Sequence, residues 1–350
     1  MVRLTRAQQQ ARTRATVLGA AAAEFAEHGY ADAKIDRIAS RVDLTRGAVY
    51  SNFPSKRSLY LAVLLDSWPH APHGSVEALH TDAASASEAF ARTWLERLPL
   101  AADDAATARL RSGSVTGVFD DDNGRAVLGE LTRLEALMLA LSLESCPPSA
   151  ARRVRVAELI LTMLHGADHL AGAAPGFGDP FDVARACGHL AGLDLADTWD
   201  PPHLGFIKAA ELCDDPWPEP EDGIVVVLGA ARLSAAEEAV RAAAPGERVT
   251  IAVVTDSPTE TGALVRLRIT GLAACLRRTF PAAAAPPVHV DLDEGPALAT
   301  AIGAAIADDT EAAVRVRAGR VLARARGRGA GHAVAVAIPP ADTSTGRDPS

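Results

Sequence analysis

Apolar positions in the first third of the chain recur at helical spacing. Leu18, Ala21, Ala22 and Phe25 share one face of a helix over Gln8–Glu27, and His28-Gly29 ends it. Ile35, Ile38 and Ala39 mark a short second helix over Lys34–Arg41. Val42-Asp43-Leu44 makes a turn, and Thr45 is a suitable cap for a third helix reaching about Asn52. After Phe53-Pro54-Ser55 a fourth helix carries Leu59, Val63 and Leu64. Beyond a Pro/His-rich break at Trp68–Gly74, helices are expected at about 85–98, 124–145, 149–171 and 180–194. The stretch Val154–Leu164 is apolar nearly all round, so it needs partners on more than one face.

The period changes after Asp214–Gly223, which is acidic and rich in proline. Ile224–Leu228, Val249–Val254 and Val288–Leu292 are β-branched runs of strand length. Helical stretches at about 234–244, 258–279 and 295–307 separate them, which predicts a small parallel α/β layer. A β-hairpin is expected to turn at Ala318-Gly319. The domain reading is therefore 1–68, 69–200, a linker over 201–223, an α/β unit over 224–340 and a disordered tail over 341–350. On this reading, truncation near residue 200 leaves a folded protein.

Charge sharpens the picture. The net charge of −9 is unevenly spread: residues 1–68 hold ten basic and six acidic side chains, a net +4, and the remainder carries −13. A basic end on an acidic body suits a polyanionic partner at one end. No apolar run approaches bilayer length and the N-terminus is polar, so a cytoplasmic protein without membrane contact is expected. The cysteines Cys146, Cys187, Cys213 and Cys275 are scattered and show no metal spacing. His165 and His169 stand at i, i+4, but no third ligand is evident, and no metal or cofactor is assigned.

Two short helices joined by a three-residue turn can place the second in the DNA major groove. Thr45 and the amides beside it suit a phosphate, and Arg46 suits guanine or phosphate. Gly47 and Ala48 allow close approach, and Val49 faces the core. Tyr50, Ser51, Asn52 and Lys56 supply positioning contacts, with Lys34 and Arg37 on the preceding helix. The motif spans about 34–53.

The stretch "FAEHGYADAKIDRIASRVDLTRGAVYSNFPSKRSLYLAVL" resembles the DNA-binding domain of the tetracycline-repressor (TetR) family. Gly29-Tyr30, Ile38-Ala39, Thr45, Gly47, Val49-Tyr50, Phe53 and Ser55-Lys56 carry the resemblance. Asp43 stands where the family usually has Gly, and Lys34 near a position often held by Thr.

The resemblance implies an all-α two-domain repressor. Its helix-turn-helix head would be joined to a helical ligand-binding and dimerisation domain, with the α/β, Rossmann-like domain appended. It implies a homodimer through about 149–171 and 180–194, a palindromic double-stranded operator, and release by a small-molecule effector. Trp94, Phe119, Met138, Met163 and His165 are candidates for the effector pocket.

The C-terminal unit is similar to the structural half of polyketide-synthase ketoreductase domains, through its strands and the hairpin "RAGRVLARAR". It lacks G-x-G-x-x-G, and no tyrosine follows Tyr60, so no enzyme is expected. The alternative is a regulator whose C-terminal unit binds a protein partner or a nucleotide or redox ligand.

Overall fold

A computed structural model describes residues 5–67, 80–98, 110, 115, 117–147, 151–218, 222–281 and 286–337. The tail expected over 341–350 lies outside the described residues. In chain order the helices begin with α1 (Arg6–Asp32), α2 (Ile35–Arg41), α3 (Arg46–Tyr50) and α4 (Lys56–Ser67). Then come α5 (Ala83–Leu95), α6 (Asp122–Glu144), α7 (Val154–Ala173) and α8 (Pro180–Leu190). After them follow β1 (Glu211–Pro216), β2 (Gly223–Gly229), α9 (Ala236–Ala242), β3 (Val249–Val254) and α10 (Ala263–Thr279). The chain closes with β4 (Val288–Asp291), α11 (Gly295–Ala301), β5 (Glu311–Arg317), β6 (Arg320–Arg326) and α12 (Ala330–Val336).

These elements form two units, and the division interrupts the chain. One unit comprises 1–198 and 257–286; the other comprises 199–256 and 287–350. The segment 257–286 therefore leaves the strands that flank it in sequence and belongs with the helices. It begins with a π-helical turn, Pro258–Gly262, and continues as α10. Within the helical unit α10 packs on α4, α5 and α6. Leu264, Val265, Leu267, Ile269, Leu272 and Cys275 are all buried along it. The expected helix over 258–279 forms, but not as a crossover helix covering the sheet: helical periodicity predicts a buried face and says nothing of which body buries it.

Capping explains the local boundaries of the helical unit. The Thr5 side chain accepts from the Gln8 amide and the Gln8 side chain answers to Thr5 N–H, a capping box at the start of α1. Gly29 adopts φ +69° and breaks α1 where the sequence placed its end. Asp43 adopts φ +54°, the left-handed conformation that suits Gly best and that Asp tolerates. Asp82 and Asp121 cap α5 and α6 by accepting from the Ser85 and Gly124 amides.

The second unit holds a six-stranded mixed sheet in the order β1-β6-β5-β2-β3-β4. β2, β3 and β4 run parallel, as the alternating pattern predicts. β5 and β6 add antiparallel to β2 as a hairpin, and β1 adds antiparallel to β6. The layer is thus mixed rather than wholly parallel, because β5 lies beside β2 in the antiparallel sense. The hairpin turns at Ala318-Gly319, both with positive φ (+50° and +70°), the two-residue geometry that matches strand twist.

Part of the stretch expected as linker, 201–223, is also structured. Glu211–Pro216 form β1, and Trp217 is buried in the core with Val225, Val227 and Val314. Pro and acidic residues disguised an edge strand, the one place in a sheet where both are tolerated.

Candidate nucleic-acid interface

The first three helices fold around one buried carboxylate. Glu24 lies on the inward stripe of α1 with Val17, Ala21 and Phe25, and has no solvent exposure. It accepts from the Lys34 amide (3.0 Å), from Arg37 Nε (2.6 Å) and from Arg41 Nη2 (3.4 Å). Burial pushes its pKa up, but the Lys34 amide and Arg37 outweigh this and hold it below the usual carboxylate value. Arg41 also reaches Glu27 at 2.6 Å. Glu24, Glu27 and His28 come close enough together to hold a cation, but Arg37 and Arg41 already neutralise the two carboxylates. An aromatic group closes the core behind them: Phe25 meets Tyr60 edge-on at 4.9 Å, and Tyr30 lies 5.1 Å from Tyr60.

This core presents α3 outward. Thr45 Oγ1 accepts from the Ala48 amide at 3.2 Å, and Val49 is fully buried as the anchor. Thr45, Arg46, Gly47 and Ser51 are exposed. Arg46 stacks 5.5 Å from the Tyr50 ring and stands 3.9 Å from Asp36, so its guanidinium is steadied over the exposed face. Ser51 Oγ and Asn52 Nδ2 both donate to the Ala48 carbonyl, at 2.9 and 3.0 Å. They finish the short helix as well as lining its surface.

Two other predicted contacts are already engaged within the protein. Lys56 Nζ donates to the Ala31 carbonyl at 2.9 Å and sits 4.9 Å from the Tyr30 ring centre. Its partial burial lowers its pKa. Arg37 is tied to Glu24 and also donates to the Asp32 carbonyl at 2.8 Å. Lys34 is exposed, and its backbone amide, rather than its side chain, makes the bond to Glu24. The surface free to meet a ligand is thus centred on the N-terminal turn of α3.

The predicted pocket residues do not converge on one place. Trp94 and His165 meet edge-on at 5.3 Å. Phe119 lies instead 4.6 Å beneath the Arg57 guanidinium. Met163 Sδ is 3.8 Å from Cys187 Sγ on α8. Met138 is half-buried on α6. The group that sequence reasoning missed is Glu135, wholly buried on α6. Arg268 of α10 clamps it with two bonds, Nε to Oε1 at 2.8 Å and Nη2 to Oε2. Arg268 Nη2 also stands 3.0 Å from His165 Nε2. Burial raises the Glu135 pKa; the Arg268 charge overcomes this and holds it low. The sequence signal was a glutamate inside the apolar run "LTRLEALMLALSL", with nothing to name its partner.

In the second unit, the strand ends where an α/β sheet receives phosphate are filled by the chain itself. The Gly229 and Ala231 amides donate to the Thr310 and Asp308 carbonyls at 2.7 and 2.8 Å. Arg232, which follows these amides in the chain, is bonded to Glu311 at 2.7 Å. Elsewhere in this unit a groove of about 670 Å³ is lined by His203, Phe206, Lys208, Arg324, Arg326 and Arg328, among others. No helix among the described residues is long and apolar enough to cross a membrane.

Residues 17–63 match the family model for bacterial regulatory proteins of the tetR family. No curated protein matches the chain. Among solved structures, the chain is similar to one described as the molecular basis for control of antibiotic production by bacterial hormones. That match has 23% identity over 52% of this chain and 96% of the other, with a TM-score of 0.31. It is also similar to TylP, a tetR regulator from Streptomyces fradiae, at 26% identity over 54% and 87% of the two chains, TM-score 0.34. A putative TetR-family regulator from Mesorhizobium loti matches at 14% identity over 54% and 96%, TM-score 0.25.

Proposed function

We propose that this chain, a tetR-family regulator by the reading head it carries, binds palindromic operator DNA as a homodimer and represses transcription until an effector releases it. The observation that carries the reading is the exposed N-terminal turn of α3, with Thr45 as cap and Arg46 held on Tyr50, on a core matching the family over residues 17–63. A helix of that size fits the major groove, and its first residues reach base edges. Thr45 and the α3 amides take a phosphate, Arg46 a base edge or phosphate, and Gly47 and Ala48 permit close approach. Tyr50, Ser51 and Asn52 line the flank. Arg37 and Lys56, bonded within the head, act mainly by fixing it, while the exposed Lys34 side chain can reach phosphate.

The dimer would form through α7 and α8. Leu159 and Leu170 on α7 and Phe181 on α8 are large apolar side chains left exposed, at 39%, 38% and 67%. The test is selection of operator from random duplexes, followed by Arg46→Ala. Arg46→Ala is expected to lower affinity for the selected site by about 1–3 kcal/mol and relax one position of its sequence. Unchanged affinity and sequence preference would remove Arg46 from the interface.

A further inference from the structure

The segment 257–280 reaches two distant parts of the helical unit with charged groups. At its start Glu260 accepts from Ser55 Oγ, just ahead of α4, and from Arg57 Nη1 at 3.2 Å. Arg57 also holds Asp121, the cap of α6, at 2.7 Å. Two turns of α10 further on, Arg268 enters the site of Glu135 and His165. From the other side Arg97, stacked 4.4 Å from the Trp94 ring, donates to the Gly271 carbonyl at 3.3 Å and to Cys275 Sγ at 3.1 Å. Near the end, Arg278 pairs with Glu96 at 2.6 Å, and the Thr279 carbonyl lies 2.8 Å from His80 Nε2.

The site that receives Arg268 is built for a cation. Its floor is a carboxylate with no solvent exposure. His165, which Arg268 also meets, is itself backed edge-on by Trp94 at 5.3 Å. Asp168, one turn beyond His165, lies within electrostatic reach of Arg268 and has a buried carboxyl oxygen with no hydrogen-bond partner among the described residues. A fully buried carboxylate is tolerated only when a cation with matching hydrogen bonds sits on it, and a planar guanidinium satisfies both oxygens at once. A lysine in the same place would leave one oxygen poorly served.

We propose that the segment 257–280 is a tethered ligand of the helical unit. Arg268 fills a guanidinium site made by Glu135, His165 and Asp168, with Trp94 behind His165, and Glu260 links that occupancy to the reading head through Ser55 and Arg57. This rests on the regulator reading and gives its effector position an occupant and a chemistry. Small guanidinium compounds are the class of molecule that can take the place of Arg268. Removing the tethered group while the site stays intact is expected to weaken operator binding, because the head then loses the state that Glu260 helps to hold.

The experiment uses the full chain and chemical rescue. In Arg268→Ala, the thermal midpoint is expected to fall and operator affinity to drop by about tenfold. Millimolar methylguanidinium should restore the thermal midpoint but not the operator affinity, because a free guanidinium fills the site without the tether to Glu260, while sodium chloride at equal ionic strength should restore neither. Arg268→Lys should restore neither fully. Glu260→Gln, which leaves the Arg268 clamp in place, should weaken operator binding with little loss of thermal midpoint. If Arg268→Ala does not fold, the Glu135→Gln/Arg268→Met pair supplies a neutral, filled site; it is expected to fold, bind operator weakly and ignore methylguanidinium. Absence of thermal rescue by methylguanidinium, or operator affinity unchanged in both the Arg268 and Glu260 variants, would overturn the inference. A wild-type protein that selects no DNA would instead overturn the regulator reading and with it the link to the head; rescue of the thermal midpoint tests the guanidinium site without DNA.

Discussion

Two glutamates, Glu24 and Glu135, have no solvent exposure, and each is held by arginine. The cations on Glu24 come from 13 and 17 residues away, and their side chains are 39% and 36% exposed. The cation on Glu135 comes from 133 residues away, and its side chain is only 17% exposed. Glu24 closes a local bundle with cations that the same bundle supplies. Glu135 makes the helical unit depend on a segment that the chain supplies only after it has built three strands of another unit. The same chemistry thus serves in one place to fix a small fold and in the other to bind a remote piece of sequence.

The largest test of this difference is truncation near residue 200. The chain would keep every partner of Glu24 and lose Arg268 together with the buried face of α10. A cooperative thermal transition is expected to disappear and an apolar dye to bind, as in a loosely packed helical state. This reverses the expectation from linker composition. A sharp transition at the full-length midpoint would show that α10 is dispensable to the helical unit.

Acid titration compares the two glutamates in one protein. Both have folded-state pKa values below the usual 4.5. The unfolded state therefore binds protons first, and the stability each glutamate supplies is complete above that value and lost as pH falls through the lower folded value. The neutral Glu135→Gln/Arg268→Met pair should show a shallower loss of stability below about pH 4.5 than the wild type. An unchanged acid limb would mean that Glu135 contributes nothing to it.

The smallest expected effect lies in the head itself. Asp43→Gly should stabilise the protein by up to ~1 kcal/mol, because φ +54° costs an L-residue more than glycine. Chemical denaturation would read the gain, and a loss would mean that the Asp43 side chain has a stabilising contact.

The same contrast explains what could be read from the sequence. The head was legible because its determinants are neighbours: Gly29 for the break, Asp43 for the turn, Thr45 for the cap, Val49 for the anchor. The hairpin at Ala318-Gly319 and the runs of β2 and β3 were legible for the same reason. Glu24 was overlooked although it interrupts the stripe of Val17, Ala21 and Phe25, which is the mark of a buried charge awaiting local cations. β1 was hidden because an edge strand need not look apolar. The place of α10 was not legible at all. Its period predicts a helix, while its partners Glu135, Arg97 and Glu96 are set by packing between residues far apart in the chain. The candidate pocket suffered likewise: Trp94 and His165 meet, but what lies beside them is an arginine from residue 268.

The most direct test of the account is a double-mutant cycle on Glu135 and Arg268 in the full chain. Glu135→Gln and Arg268→Met are each expected to cost about 3–5 kcal/mol of unfolding free energy, since each strands a buried partner. The double variant should lie within ~1 kcal/mol of the wild type, because the two losses describe one pair. Single losses that are small and simply add would show that α10 does not deliver Arg268 to Glu135.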